Sequence, residues 1–291
     1  MKLPRRKFLA LCGASVATPS LAATALGQTS RPKPLAIKKA VKIGMIKEGK
    51  TLAEKFALLK ELGYDGVELN SPAGRADPAE VAAATQQTGI LVHGVVDSIH
   101  WNKRLSDPDA AIRDKGIAGL EQALRDAKAY RASSVLLVPG RVTAKERYDQ
   151  CYERSQECIR KVMPLADDLD LDILIENVWN NFLLSPIEMA RYCDELGPRV
   201  GVYFDIGNIV KYAEPYQWIE ILGKRIKKLD VKGYNRKKGW CKIGDGNENW
   251  PKVCKALRRI GYSGWATAEV SGGKRGRLAD IKQRMDKAFS Y

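Results

Sequence analysis

Residues 171–205, LDILIENVWNNFLLSPIEMARYCDELGPRVGVYFD, decide the reading of this chain. An apolar run of strand length (171–176) stops at Glu176, and a second (200–205) stops at Asp205. Between them the pattern predicts a helix over 185–196: Ser185 caps it, Pro186 takes its first position, and Gly197 sits where it should stop. The stretch is a strand–helix–strand unit with an acid closing each strand.

The same unit recurs on both sides. Strands are expected at 41–46 (VKIGMI), 65–69 (DGVEL), 90–96 (ILVHGVV), 134–138 (SVLLV), 226–231 (IKKLDV) and 265–270 (WATAEV). Helical patterns fill the gaps: Thr51–Leu62, Asp77–Gln87, Asp107–Tyr130, Ala144–Asp168, Glu214–Leu222, Asn249–Ile260 and Gly276–Phe289. Asp107 before Pro108 is a second expected cap, and Gly63, Gly89 and Gly261 are expected helix stops. Eight such units in about 250 residues predict an α/β fold, a single-domain (β/α)8 TIM barrel spanning 41–291. A doubly wound open sheet is the competing fold, but Gly44–Lys50 (GMIKEGK) lacks the glycine-rich phosphate turn expected after its first strand.

Residues 1–25 read as a signal peptide of twin-arginine type. Lys2, Arg5, Arg6 and Lys7 precede an apolar run from Phe8 to about Ala17, and Ala23-Thr24-Ala25 offers a small-residue cleavage site. The run is too short and too rich in Ala, Ser and Thr to span a bilayer, so the expected location is periplasmic or otherwise exported, with no membrane association after cleavage. Residues 26–40 read as a polar, proline-bearing linker. The whole chain carries a net charge of +15, and losing four basic groups with the signal leaves about +11. The remaining Lys and Arg are scattered without an aromatic-interleaved cluster, which argues against a nucleic-acid partner. Of six cysteines, Cys12 lies in the expected signal; Cys151, Cys158, Cys193, Cys241 and Cys254 remain in the mature chain, an odd set without a C-x-x-C pair, and Cys151 and Cys158, two turns apart on one helix face, read as packing residues.

In a barrel of this kind chemistry sits at the carboxyl ends of the strands. Glu176, Asp205, Asp230 and Glu269 occupy those positions on the last four strands. Alone, each such acid is more often a cap or half of an ion pair, and Lys232 and Arg225 lie close enough in sequence to pair with one. Four converging together would repel and lose hydration, and a divalent metal is the simplest remedy.

These segments resemble the xylose isomerase-like superfamily of sugar isomerases and epimerases, the ketose 3-epimerases in particular. Ile175-Glu176-Asn177 resembles the fifth-strand motif whose Glu is ligand and base, and Tyr203–Asn208 (YFDIGN) the sixth-strand motif whose Asp is a ligand. Ile243-Gly244-Asp245-Gly246 with Trp250-Pro251 resembles the loop and helix that lead to the last strand, which ends in the second catalytic acid, Glu269. Ser98-Ile99-His100 resembles a segment with its His at the substrate mouth, and Glu68 closes the second strand in the family manner. The resemblance thus implies Glu176 and Glu269 as catalytic pair and metal ligands, with Asp205 and Asp230 as further ligands. Glu68, His100, Trp101, Trp179, Asn208, Lys232 and Trp240 are the candidate substrate contacts. Stacking on a sugar and packing over the barrel top are equally open for the three tryptophans, whereas His93, mid-strand, reads as a core residue.

One position departs from the pattern: the family's seventh strand reads His-x-Lys-Asp, and here it is Asp230-Val231-Lys232-Gly233. An all-oxygen ligand set favours Mn2+ or Mg2+ over Zn2+. Four ionised carboxylates around one divalent ion remain net negative, so either one is protonated, Lys232 compensates, or Asp230 does not ligate. The expected reaction is removal of a proton next to a carbonyl to give an enediolate, then return of a proton, on a free sugar or keto-sugar. A lyase or hydrolase on 3-keto-glycosides begins with the same step, and a non-catalytic carbohydrate-binding barrel is the alternative from another class. An endonuclease of the superfamily would need several histidine ligands, and His93 and His100 are the only histidines. Homo-oligomerisation is left open.

Overall fold

Capping side chains set where the helices begin in the computed structural model, which describes residues 35–291. Thr51 accepts from the Glu54 amide while Glu54 accepts from the Thr51 amide, starting α1 (Leu52–Glu61), and Asp77 caps α2 (Pro78–Thr88). The cap of α3 (Ala110–Ala129) is Asp109 rather than the expected Asp107. Asp107 instead accepts from the Asp109 amide and pairs with Arg104, so Asp107-Pro108 form the turn ahead of the helix. The next helix, α4 (Tyr148–Leu169), starts later than the expected Ala144, because Glu146 is buried against Arg104 and Ser106 and ties its segment down. Ser185 caps α5 (Pro186–Leu196) as expected. The short α6 (Ile206–Val210), then α7 (Pro215–Leu222), α8 (Trp250–Arg259) and α9 (Arg275–Ala288) complete the set. Gly63, Gly89, Gly197 and Gly261 follow helices with φ of 76°, 75°, 96° and 70°, a region other residues rarely enter.

The strands are β1 (Ile37–Lys42), β2 (Gly66–Ser71), β3 (Leu91–Asp97), β4 (Ser134–Leu137), β5 (Asp172–Glu176), β6 (Val200–Asp205) and β7 (Ile226–Val231). A hairpin of β8 (Gly233–Asn235) and β9 (Gly239–Cys241) intervenes before β10 (Gly264–Ala268). Eight of them close a parallel barrel in the order β1-β10-β7-β6-β5-β4-β3-β2. The expected (β/α)8 barrel is therefore present.

The first strand corrects the sequence reading. It was expected at 41–46, yet Ile37–Val41 pair with Gly264–Ala268, and residues 43–45 form a 3-10 turn instead. Residues 37–40 are thus strand rather than linker. The expected signal peptide, 1–25, and the linker up to residue 34 lie outside the described residues.

The apolar core, including Phe56, Leu59, Leu120, Ile159, Met189, Leu257 and Met285, fills the layer between strands and helices. Inside the barrel the filling is polar in part. His93 Nε2 meets Thr267 Oγ1 at 3.0 Å, and Thr267 Oγ1 meets the Tyr203 hydroxyl at 2.8 Å, bonds that link non-adjacent strands across the lumen. His93 also stacks on Trp265, so it is a bonded core residue as its mid-strand place suggests. All five cysteines of the described residues are free thiols, and Cys151 and Cys158 are buried packing residues on α4. Among the described residues no helix is long and apolar enough to cross a membrane.

Candidate active site

Strand register brings the acids together. Asp205 and Asp230 are direct partners on β6 and β7. Glu176 closes β5 opposite Tyr203, and Glu269 follows β10, where Thr267 pairs with Asp230. One oxygen from each of Glu176, Asp205, Asp230 and Glu269 lies within 4.8 Å of the others. At that spacing four negative charges could not persist in a buried site without compensation.

Two ammonium groups supply part of it. Lys232 Nζ lies 2.8 Å from Asp205 Oδ2 and 2.5 Å from Glu269 Oε2. Lys42 Nζ donates to Glu68 Oε2 at 2.7 Å, lies 3.0 Å from Asp230 Oδ2 and reaches within 4.0 Å of Glu269. Burial disfavours both cations, but the surrounding carboxylates outweigh it and hold both above the usual lysine range. Arg225, the other cation considered from sequence, is turned away and pairs with Asp194.

Lys42 is the site residue that sequence reasoning missed. A first strand at 41–46 would put Lys42 near its start; the true strand ends at Lys42, in register with Glu68, and continues the β10 register so that it faces Glu269.

The carboxyls differ sharply in proton affinity. Burial, reinforced by Glu269, pushes Glu176 up to about 8. Burial likewise raises Asp205 and carries Asp230 well above the usual range. Glu269 is partly exposed; burial opposes its charge, but Lys42 and Lys232 prevail and hold it down to about 2. Glu176 Oε1 and both oxygens of Asp230 are buried and accept no hydrogen bond, Asp230 being held by charge alone.

Backbone close approach shapes the walls. Asn177 clamps β5 to β6, receiving the Asp205 amide and donating to the Asp205 carbonyl, both at 2.8 Å. Asp205 Oδ1 accepts from the Asn208 amide, and Asn208 Nδ2 donates to the Asn177 carbonyl, so Asn208 fastens the turn that carries Asp205. A Cβ on Gly207 would stand 2.6 Å from Lys232 Cβ; glycine there lets this turn lie against Lys232.

The other candidates ring the site. Glu68 is buried beneath Lys42. His100 is buried, held low to about 3 by burial and hence neutral, and its Nδ1 accepts from the Val138 amide. It meets Trp101 edge-on. Trp179 donates from Nε1 to the Asn208 carbonyl and stacks on Trp240, with ring centroids 4.7 Å apart. Trp240 rides on the hairpin β8–β9 and lines a cavity of about 390 Å3 together with Lys232, Glu269 and Arg277.

A barrel with acids closing β5 and β6, next to last on β7 and directly after β10 defines a class, and the sequence agrees with it. The chain belongs to the xylose isomerase-like TIM barrel family, whose model matches residues 56–289. Among solved structures it is similar to a 3-keto-D-glucoside 4-epimerase from E. coli, with 15% identity, a TM-score of 0.75 and coverage of 88% of this chain and 100% of that one. It is also similar to a D-allulose 3-epimerase from Methylomonas sp. (17% identity, TM-score 0.70, 87% and 97% covered). A D-psicose 3-epimerase from Clostridium cellulolyticum H10 has 18% identity, a TM-score of 0.71 and coverage of 87% and 98%. At these identities the likeness is one of fold. Comparison with curated proteins gives no match.

Proposed function

We propose that the protein is a sugar isomerase or epimerase that moves a proton at a carbon next to a carbonyl. The observation that carries this is geometric: one oxygen from each of Glu176, Asp205, Asp230 and Glu269 lies within 4.8 Å of the others, with the ammonium groups of Lys42 and Lys232 set among them. Burial raises Glu176 while the two lysines lower Glu269, so the pair is unequal in proton affinity, as acid–base catalysis needs. The epimerase activities named for the similar structures support the same reading.

The donor set fits a divalent cation. Lys42 is shared between Glu68 and Asp230 and Lys232 between Asp205 and Glu269, which leaves Glu176 Oε1 and Asp230 Oδ1 buried without a partner and placed to ligate. Glu176, Asp205, Asp230 and Glu269 would hold the ion, and their oxygens favour Mn2+ or Mg2+ over Zn2+. When bound, such an ion polarises a carbonyl and acidifies the neighbouring C–H.

The chain's own residues account for the proton's path. Ionised Glu269 takes the proton, and the C–H electron pair moves into the carbonyl to give an enediolate. Protonated Glu176 then delivers its proton. Delivery to the same carbon from the opposite face inverts it, and delivery to the neighbouring carbon isomerises the sugar; in the reverse direction the two residues exchange roles. Lys232 and Lys42 hold Glu269 ionised, and Lys232 stands where an oxyanion would gain from a fixed positive charge. The twin-arginine segment supports export and therefore an unphosphorylated substrate.

The test is solvent deuterium uptake. Wild-type protein with Mn2+ should incorporate deuterium into a ketose or keto-sugar and convert it to its epimer or isomer, and Glu176→Gln, which lacks the second proton donor, should form neither product. Product formation that persists undiminished in Glu176→Gln defeats the assignment.

A further inference from the structure

The mouth of the site is more aromatic than proton transfer requires. Four aromatic side chains stand out as exposed among the described residues, and three of them, Trp101, Tyr212 and Trp240, lie on segments that follow β3, β6 and β7 at the carboxyl end of the barrel. Trp240 is 52% exposed although one face rests on Trp179. Trp240 is not isolated, since it joins Trp179, Tyr234 and Tyr212 in one aromatic cluster, and a contiguous patch of this kind beside a site is where a ligand face can stack.

The surroundings hold Trp240 in place. Trp179 stacks on it at an interplanar angle of 21°, Tyr234 meets it edge-on at 5.0 Å, and Trp179 is itself pinned by its bond to Asn208. The hairpin is fastened by buried Glu248, which accepts from the Tyr234 amide at 2.6 Å. An immobilised ring loses little entropy when a ligand settles on it.

Position adds the last constraint. Lys232 Nζ, which touches both Asp205 and Glu269, lies 5.7 Å from the centre of the Trp240 ring. The cavity from Glu269 past Trp240 to Arg277 has a volume of about 390 Å3, within the range of pockets that enclose ligands larger than a single small ring.

From this we infer that the substrate is a glycoside of at least two rings, with the reacting ring at Glu269 and a second ring stacked on Trp240. The inference deepens, and rests on, the sugar isomerase or epimerase reading. The second ring takes no part in the chemistry, so unoxidised disaccharides suffice as probes. Glu176→Gln protein is titrated calorimetrically with cellobiose, maltose, trehalose and sucrose, and with D-glucose and D-fructose. At least one disaccharide should bind tenfold or more tighter than both monosaccharides. Trp240→Ala in that background should abolish the preference, and Trp240→Phe, which keeps a ring in a folded hairpin, should retain it. Equal affinity for one and two rings, no binding of any disaccharide, or a preference that survives Trp240→Ala overturns the inference. Failure of the underlying reading shows separately, as absence of deuterium uptake by the wild type with every sugar while the disaccharide preference stands.

Discussion

Replacing Lys42 by Met removes the ammonium that sits 2.7 Å from Glu68 and 3.0 Å from Asp230, leaving a side chain of similar length. Breaking a buried ion pair from one side costs about 3–5 kcal/mol, because the other charge stays buried without a partner. Burial already raises Asp230, which can escape part of this by taking up a proton, so the lower end applies. About 3 kcal/mol in a domain of this size lowers Tm by roughly 6–12 °C. The sign with pH follows from linkage. A carboxyl whose folded pKa lies above its unfolded value binds a proton on folding, so its penalty is absent in acid and grows as pH rises through that interval. Lys42→Met pushes Asp230 further up, and the loss should be larger at pH 8 than at pH 5. Thermal unfolding followed by circular dichroism at the two pH values checks this. A drop below 2 °C at pH 8, or a larger drop at pH 5, refutes the claim that Lys42 neutralises this cluster.

Other expectations rest on the same geometry. Glu176→Gln replaces a carboxyl raised to about 8 with a neutral isostere; the wild type should lose stability as pH rises from about 5 to 8, and the variant should show a flatter Tm over that range. Mn2+ should bind with a stoichiometry of one and raise Tm, by about 2.7 kcal/mol of stability at a hundredfold excess over Kd, and Asp205→Asn should abolish both effects in calorimetry. Gly207→Ala, with its Cβ 2.6 Å from that of Lys232, should cost about 1–3 kcal/mol of overpacking, read by denaturant unfolding. Asn177→Ala leaves the Asp205 amide and carbonyl without their side-chain partner and should cost about 2 kcal/mol, with slower deuterium uptake as Asp205 shifts.

The barrel and its four acids were legible because each late strand carries a carboxylate at or within one residue of its end, and strand ends are where this fold keeps its chemistry. Ser185 was legible as a cap because its helix follows at once, whereas Thr51, expected inside the first helix, turns out to cap it. Lys42 was hidden by a register that sequence alone could not fix: VKIGMI is more apolar than IKKAVK, so the strand was expected four residues late, and pairing with β10 selects the less apolar run. The balance of charge was hidden for the same reason, since it depends on which strands neighbour each other. Asp107 and Asp109 offer the same capping chemistry two residues apart, and Arg104 decides between them. The hairpin β8–β9 was not foreseen, its strands being three residues each and held by Glu248 from further along the chain.

That hairpin pairs with no strand of the barrel. The clustered acids belong to the sheet or its immediate edge, whereas Trp240 belongs to an excursion between β7 and α8 anchored by side chains such as Arg236 on the Val210 carbonyl and Arg284 on the Ile243 carbonyl. Evolution can therefore exchange the excursion without rebuilding the catalytic frame. The hairpin that carries Trp240 can change in length or sequence while the strand ends that hold Glu176, Asp205 and Asp230 keep their register.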